Sequence, residues 1–434
     1  MLNLKITPQR PALLKGFDNE FYALLQVNAD EQASNTGRSK LLNLAIVIDR
    51  SGSMSGQPLN EAKACAIMMV KQMHADDRIA VVTYDNEAEL VVPSTLCANK
   101  QEIISSIEMI SEGGMTALHA GWLMGAEEVA KNKAENSLNR VLLLSDGNAN
   151  QGLTDIGQIK SQCAQLADAG VATSTYGLGH DFNETLMIEM ASSGLGQGYY
   201  GKTAEDLADP FREEFELLLN TVATNLQLQP EAPSFVSLKL MNNFRQSGDA
   251  WSMPDIAAGG EGWALFKLVI KRTDIGEHPL EVLRCVLSFN DKRGDKHLTE
   301  PVKLILEPLS PNAFEAVLEN EKVKSRIAEM LVASYQQEAR EAAQAGDWER
   351  VDSIVARAKI IAKDDLWMQN SIASLEKYSR RRQREQFSKE ALYSSDRMNK
   401  RLVADDEAHV SYSIGSELRK ASYLRRKTER GKRM

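Results

Sequence analysis

The sequence predicts a doubly wound, Rossmann-like α/β domain, inserted in or flanked by a β-sandwich and followed by an α-helical C-terminal region. Three observations predict it. Between residues 41 and 225 short apolar runs alternate with longer amphipathic stretches, the pattern of strands and helices in turn. The apolar runs are continuous, as strands covered on both faces require. On either side the pattern changes to strand-length runs divided by turn residues, with no long helix between them.

In the α/β segment, strands are read at 42–48 (LNLAIVI), 79–84 (IAVVTY), 141–144 (VLLL) and 171–176 (VATSTY). Helices are read at 58–74, 100–110, 118–131, 154–169 and 183–191, and an amphipathic helix at 204–225 closes the unit. This alternation implies a mostly parallel sheet with helices on both faces. The β-rich part comprises 20–29, 234–241, 262–271, 280–290 and 297–307. Ala258-Gly259-Gly260 and Asp291-Lys292-Arg293-Gly294 supply turns. The N-terminal strands are expected to join this sandwich, which makes the α/β domain an insertion.

Ser310-Pro311 places a cap before a first-turn proline and opens a long helix expected to reach about residue 345. Gly346 and Asp347 end it and cap the next. Helices follow at 348–363 and 367–389, and AQAGDWERVDSIVARAKI is similar to one tetratricopeptide-type helix pair. The expected domains are 1–38 (N-terminal strands), 39–225 (α/β domain), 226–309 (sandwich), 310–390 (helical hairpin or bundle) and 391–434 (polar, basic tail).

A chain of 434 residues, 43% hydrophobic and 26% charged, is long and apolar enough to bury a core without staples. Its net charge of −9 gives no electrostatic reason for the whole molecule to bind nucleic acid. Basic residues gather only in 419–433, around Arg425-Arg426-Lys427. Cys65, Cys97, Cys163 and Cys285 form no CxxC pair and read as buried free thiols, which fits a reducing compartment. MLNLKITPQRPALLKG lacks the apolar core of a signal peptide. No apolar run approaches the roughly 18 residues of a membrane span. A cytoplasmic protein without a membrane span is expected.

The chemistry-bearing signal follows the first α/β strand: Asp49-Arg50-Ser51-Gly52-Ser53, or D-x-S-x-S, at a strand-to-helix turn. Ligands of open parallel sheets bind beyond the carboxyl ends of the strands. This turn throws one carboxylate and two hydroxyls there, and Gly52 lets the backbone bend so that both hydroxyls face one point. Gly113-Gly114-Met115-Thr116 places a further hydroxyl just before a helix, and Ser145-Asp146-Gly147 ends a buried strand with a carboxylate. An oxygen-only set of low charge suits a hard cation.

In residues and order this resembles the metal-ion-dependent adhesion site of von Willebrand factor A-type (VWA) domains, over about residues 41–225. Asp85-Asn86-Glu87-Ala88, SDGNANQGLTD at 145–155 and GLGHDFNETLM at 177–187 are similar to bacterial members. The resemblance implies that Ser51, Ser53 and Thr116 offer hydroxyl oxygens to one divalent metal, while Asp49 and Asp146 act directly or through water. Mg²⁺ is the expected cation, with Mn²⁺ or Ca²⁺ as alternatives. A Glu or Asp of a partner protein would complete the shell, making the chain a non-enzymatic adaptor. An AAA+ ATPase or another component of a multi-protein system is the partner type implied.

Two other classes stay open. One is a Mg²⁺-dependent hydrolase, for which His119 is the candidate base. The other is a scaffold tethered to nucleic acid through the basic tail. The six histidines form no HxxxH or HExxH pattern. His119 and His180 lie near the expected metal edge and read as supporting or surface residues. Asp85 and Glu87 read as solvated turn residues. No GxxxxGK[ST] loop occurs, and Met54 stands where a GxSxG nucleophile would be.

Overall fold

A computed structural model of the protein describes residues 2–30, 40–134, 136–179, 181–201 and 203–400. His180 and the basic segment 419–433 lie outside them. The described chain divides into two compact units, one built from 40–222 and the other mainly from 2–30, 223–290 and 296–400.

The second unit opens with β1 (Leu2–Pro8), β2 (Ala12–Leu14) and β3 (Asn19–Ala29). The inserted unit then begins. It holds β4 (Leu41–Asp49), α1 (Gln57–Gln72), β5 (Arg78–Tyr84), β6 (Ala88–Leu96), α2 (Lys100–Glu108), α3 (Leu118–Lys131) and β7 (Ser137–Ser145). It continues with α4 (Ile156–Asp168), β8 (Ala172–Leu178), α5 (Glu184–Ser193), β9 (Leu195–Gly201) and α6 (Ala208–Asn220). Its sheet has the order β6-β5-β4-β7-β8-β9. All neighbours are parallel except β5 and β6.

Period-2 geometry divides the central strand between two layers. Leu42, Leu44, Ile46 and Ile48 of β4 share a core with Met69 of α1, Ile103 of α2 and Phe211 and Phe215 of α6. The alternate residues face α3: a Cβ on Gly125 would stand 2.5 Å from Val47 Cγ2, so α3 lies close against the sheet only because that position is glycine. A buried cluster pins α6. Glu214, fully buried, accepts from Arg140 NH1 at 2.6 Å, from the Ser174 hydroxyl at 2.7 Å and from the Tyr199 hydroxyl at 2.8 Å.

Two expectations fail here. The last helix was expected to run to 225, but α6 stops at Asn220 and β10 begins at Thr221, where Thr-Val-Ala-Thr favours extended backbone. β6, which contains Pro93, and glycine-rich β9 carry weak strand patterns, and the sequence reading passed over both.

The other unit adds β10 (Thr221–Glu231), β11 (Val236–Leu240), β12 (Arg245–Ser247), β13 (Ala250–Met253), β14 (Ile256–Ala257), β15 (Glu261–Ile270), β16 (Leu280–Asn290), β17 (Lys296–Leu298) and β18 (Val302–Leu309). β3 pairs with β15 from Asn28↔Glu261 to Asn19↔Ile270. The N-terminal strands thus belong to the sheet built after the α/β segment, and the α/β unit is an insertion. A four-stranded sheet runs β1-β3-β15-β11, and a larger one includes β12-β13-β10-β16-β18-β2.

The helices are α7 (Pro311–Glu315), α8 (Glu321–Gln344), α9 (Trp348–Ile361), α10 (Leu366–Arg380) and α11 (Arg384–Lys400). Helices α8 to α11 share a core with Leu24, Trp263 and Leu265 of the four-stranded sheet. The long helix expected from Ser310 is broken, because Asn320 caps a new start by accepting from Val323 N–H. The helix expected over 367–389 divides at Arg382, which takes φ 53°. The tail expected over 391–434 is helical over its described residues, since α11 reaches Lys400 with Phe387, Ala391 and Met398 buried. Gly346 (φ 77°) and the Asp347 cap on Arg350 N–H fall where the sequence put them. Among the described residues no helix is long and apolar enough to cross a membrane.

Candidate metal centre

The order β6-β5-β4-β7-β8-β9 reverses direction between β4 and β7. Loops leaving the carboxyl ends of those strands part there and leave a crevice. Asp49 ends β4 and Asp146 follows β7 directly. Asp49 is fully buried. Its Oδ1 accepts from Ser51 N–H at 2.9 Å and its Oδ2 from the Ser145 hydroxyl at 2.8 Å. The Ser51 and Ser53 hydroxyls lie 3.2 Å apart, and Ser53 donates to Asp146 Oδ1 at 2.7 Å. One chain of hydrogen bonds therefore joins the two carboxylates. Met54, buried in the core, anchors the 3-10 turn Gly52–Met54 that presents these serines.

The Thr116 loop lies against that turn. Gly113 N–H donates to Arg50 O at 2.7 Å, and Gly52 N–H to Gly114 O at 2.9 Å. A Cβ on Gly113 would stand 1.9 Å from Asp85 Oδ2, so a side chain there would drive the loop off its seat. A Cβ on Gly147 would meet Thr116 Oγ1 at 3.3 Å and Ser53 Oγ at 3.7 Å. Asp49, Ser51, Ser53, Thr116 and Asp146 are thus brought to one edge of the sheet by three separate loops.

The electrostatics favour a cation. Burial pushes the Asp146 carboxyl up to about 6, and nearby Asp49 adds to the effect. Burial also raises Asp49, although hydrogen bonds from Ser51 and Ser145 oppose it. Two acids desolvated side by side hold their protons more tightly than they would in water. Among the described residues no three His, Cys, Asp or Glu side chains converge as a metal cluster. A cation held here would rest on two carboxylates and three hydroxyls. That donor set fits a hard ion such as Mg²⁺ and not a thiolate- or imidazole-seeking one.

Supporting residues missed in the sequence surround the five. Ser145 fixes Asp49, and buried Tyr84 donates to Leu144 O at 2.9 Å beneath the site. The reading of Asp85 as a solvated turn residue needs correction. It accepts from Arg50 Nε at 3.1 Å, and its backbone carbonyl receives Ala117 N–H at 2.7 Å. Burial opposes ionisation, yet the Glu87 backbone and the Arg50 guanidinium hold the Asp85 carboxyl below its usual value. Glu87 is exposed, as expected. His119 Nε2 lies 2.6 Å from Gln162 Oε1, and its ring packs against Trp122. The four cysteines are buried and none is in a disulfide. A hydroxyl next to a strand-terminal aspartate, Ser145-Asp146, was the one signal in sequence that could have found Ser145.

Comparison with known proteins agrees with this fold. Residues 43–213 match the family model of the von Willebrand factor type A domain. The chain carries a VWA domain. It is 31% identical over 216 residues to the uncharacterized protein sll0103 of Synechocystis, covering 48% of this chain and 50% of that one. It is 30% identical over 268 residues to the uncharacterized protein YfbK of Escherichia coli, covering 58% of this chain and 46% of that one. The chain thus spans about half the length of these curated relatives. A solved von Willebrand factor type A protein from Catenulispora acidiphila superposes with a TM-score of 0.70 at 18% identity, covering 86% of this chain and 89% of that one. That likeness extends the shared fold beyond the α/β unit.

Proposed function

We propose that the protein is a divalent-metal-dependent adaptor whose VWA domain grips an acidic residue of a partner protein. The observation that carries this reading is the chain of hydrogen bonds Asp49–Ser51–Ser53–Asp146 at the switch point of the sheet, with the Thr116 hydroxyl beside Gly147 at the same edge. In this reading Ser51, Ser53 and Thr116 turn hydroxyl oxygens toward one Mg²⁺, or Mn²⁺ or Ca²⁺. Asp49 and Asp146 supply the charge, directly or through water. Two carboxylates balance a divalent ion without reversing its sign, so the ion still attracts an anion. The partner's Asp or Glu fills the remaining position.

His119, the candidate base of the hydrolase reading, has its Nε2 held by Gln162 and its ring by Trp122, which leaves only Nδ1 to take a proton from water. The partner class we favour is a component of a multi-protein system, such as an AAA+ ATPase. Four buried thiols outside any disulfide suit a reducing compartment. The test is affinity capture from a native lysate of the parent organism, using wild type, wild type with EDTA, and Asp49→Ala. A protein retained by wild type with Mg²⁺ and lost in both other arms is expected. A partner set identical in all three arms would contradict metal-dependent gripping.

A further inference from the structure

Gly113-Gly114 gives the loop that carries Thr116 no side chains to hold it. Its backbone is held by the backbones of Arg50, Gly52 and Asp85 and by the side chains of two asparagines from different loops. Asn86, in the turn after β5, accepts from Met115 N–H through Oδ1 at 3.0 Å. A Cβ on Gly114 would lie 2.8 Å from that same Oδ1, so Asn86 also packs against the loop. Asn150, four residues beyond Asp146, accepts from Thr116 N–H through Oδ1 at 3.0 Å, while its own N–H donates to Thr116 O at 3.2 Å. This reciprocal pair ties the segment bearing Asp146 to the backbone of Thr116 itself.

We infer that Asn150, seconded by Asn86, is a positioning residue that sets where the Thr116 hydroxyl stands relative to Asp146. The inference rests on the metal reading given above. Its physical basis is local. Thr116 is nearly fully buried, and its N–H points at a side-chain oxygen and not into a helix or strand ladder. Replacing Asn150 by alanine removes that acceptor but leaves the Asn150 N–H to Thr116 O bond available. The loop then keeps its path and loses its fixed angle. Groups that orient metal-bearing side chains in this way typically change affinity by about 10- to 100-fold when removed.

The two-bond link also gives the centre a mechanical property. Gly113 and Gly52 tie the Thr116 loop to the D-x-S-x-S turn, Ser53 ties that turn to Asp146, and Asn150 ties the Asp146 segment back to Thr116. The three loops form a closed ring of contacts. A displacement of any one strains the other two, so the oxygens hold their relative positions before a cation arrives.

The experiment is a titration of the full chain with Mn²⁺, read by the electron paramagnetic resonance signal of free Mn²⁺. Wild type, Asn150→Ala, Asn150→Asp, Asn86→Ala and Asp49→Ala are compared, and each variant's melting temperature is taken in EDTA. Asn150→Ala is expected to weaken Mn²⁺ binding by roughly 10-fold, while its melting temperature in EDTA stays close to wild type. Asn150→Asp keeps the Oδ1 acceptor and is expected to bind as tightly as wild type or more tightly. Asn86→Ala is expected to fall between wild type and Asn150→Ala. Mn²⁺ affinity within twofold of wild type in both alanine variants would overturn the inference and leave the metal reading standing. A wild type that binds no Mn²⁺, or an Asp49→Ala variant that binds it equally, would overturn the metal reading itself.

Discussion

At the scale of single residues the centre is governed by desolvation. An unfolded aspartate ionises near 3.8, whereas folded Asp146 is pushed up to about 6 by burial. The cation-free folded state therefore binds this proton more tightly than the unfolded chain does. The resulting stabilisation is fully present below 3.8 and is lost as pH rises through about 6. Asp49 is shifted in the same direction. In EDTA, thermal stability should accordingly fall across this window. A cation must displace the proton, so Mg²⁺ should bind weakly at the acid end and firmly above it. The expected outcome is a Mg²⁺-induced gain in melting temperature that grows as pH rises from about 4 to about 7. A gain of constant size over that range would show that neither carboxylate shares its proton with the metal.

At the scale of elements, helix α6 is held by chemistry as well as by packing. Glu214 receives Arg140, Ser174 and Tyr199, from β7, β8 and β9 in turn. Removing one partner of a buried ion pair typically costs about 3–5 kcal/mol. Glu214→Ala should therefore lower the unfolding free energy by about that amount in a denaturant titration, and Glu214→Gln, which keeps its volume and one acceptor oxygen, by less. Equal stability in all three proteins would mean that α6 is held by Phe211 and Phe215 alone.

The elements also show what a sequence discloses. Apolar runs made β4, β5 and β7 legible because strands buried on both faces favour them, while buried Thr173, Ser174 and Thr175 of β8 are accommodated by hydrogen-bond partners. β6 and β9 were not, because Pro93 and the glycines of LGQGYYG dilute any period. Helix boundaries at Asn320 and Arg382 were missed because each turns on a single residue, a side-chain cap at Asn320 and a positive φ at Arg382. The five oxygen-bearing residues were readable because they sit at strand ends in a fixed order. Ser145, Asn86 and Asn150 were not, because what they do is defined by contacts across loops far apart in the chain.

At the scale of the molecule, the chain enters the inserted unit at Leu41, the opposite end of β4 from Asp49. Nine residues of strand separate that entry from the oxygen cluster by roughly 25–30 Å. The oxygen cluster therefore sits at the carboxyl end of the strands, far from the amino end of β4. The insertion itself depends on β3 lying alongside β15, a pairing between segments on either side of the α/β unit. The central claim is that these loops enclose one divalent cation. Anomalous diffraction from crystals of the full chain grown with Mn²⁺ tests it most directly. The account predicts a single strong peak among the side-chain oxygens of Asp49, Ser51, Ser53, Thr116 and Asp146, at about 2.1 Å from those that ligate it directly. Well-ordered density for these five side chains with no anomalous peak between them, at saturating Mn²⁺ and neutral pH, would contradict it.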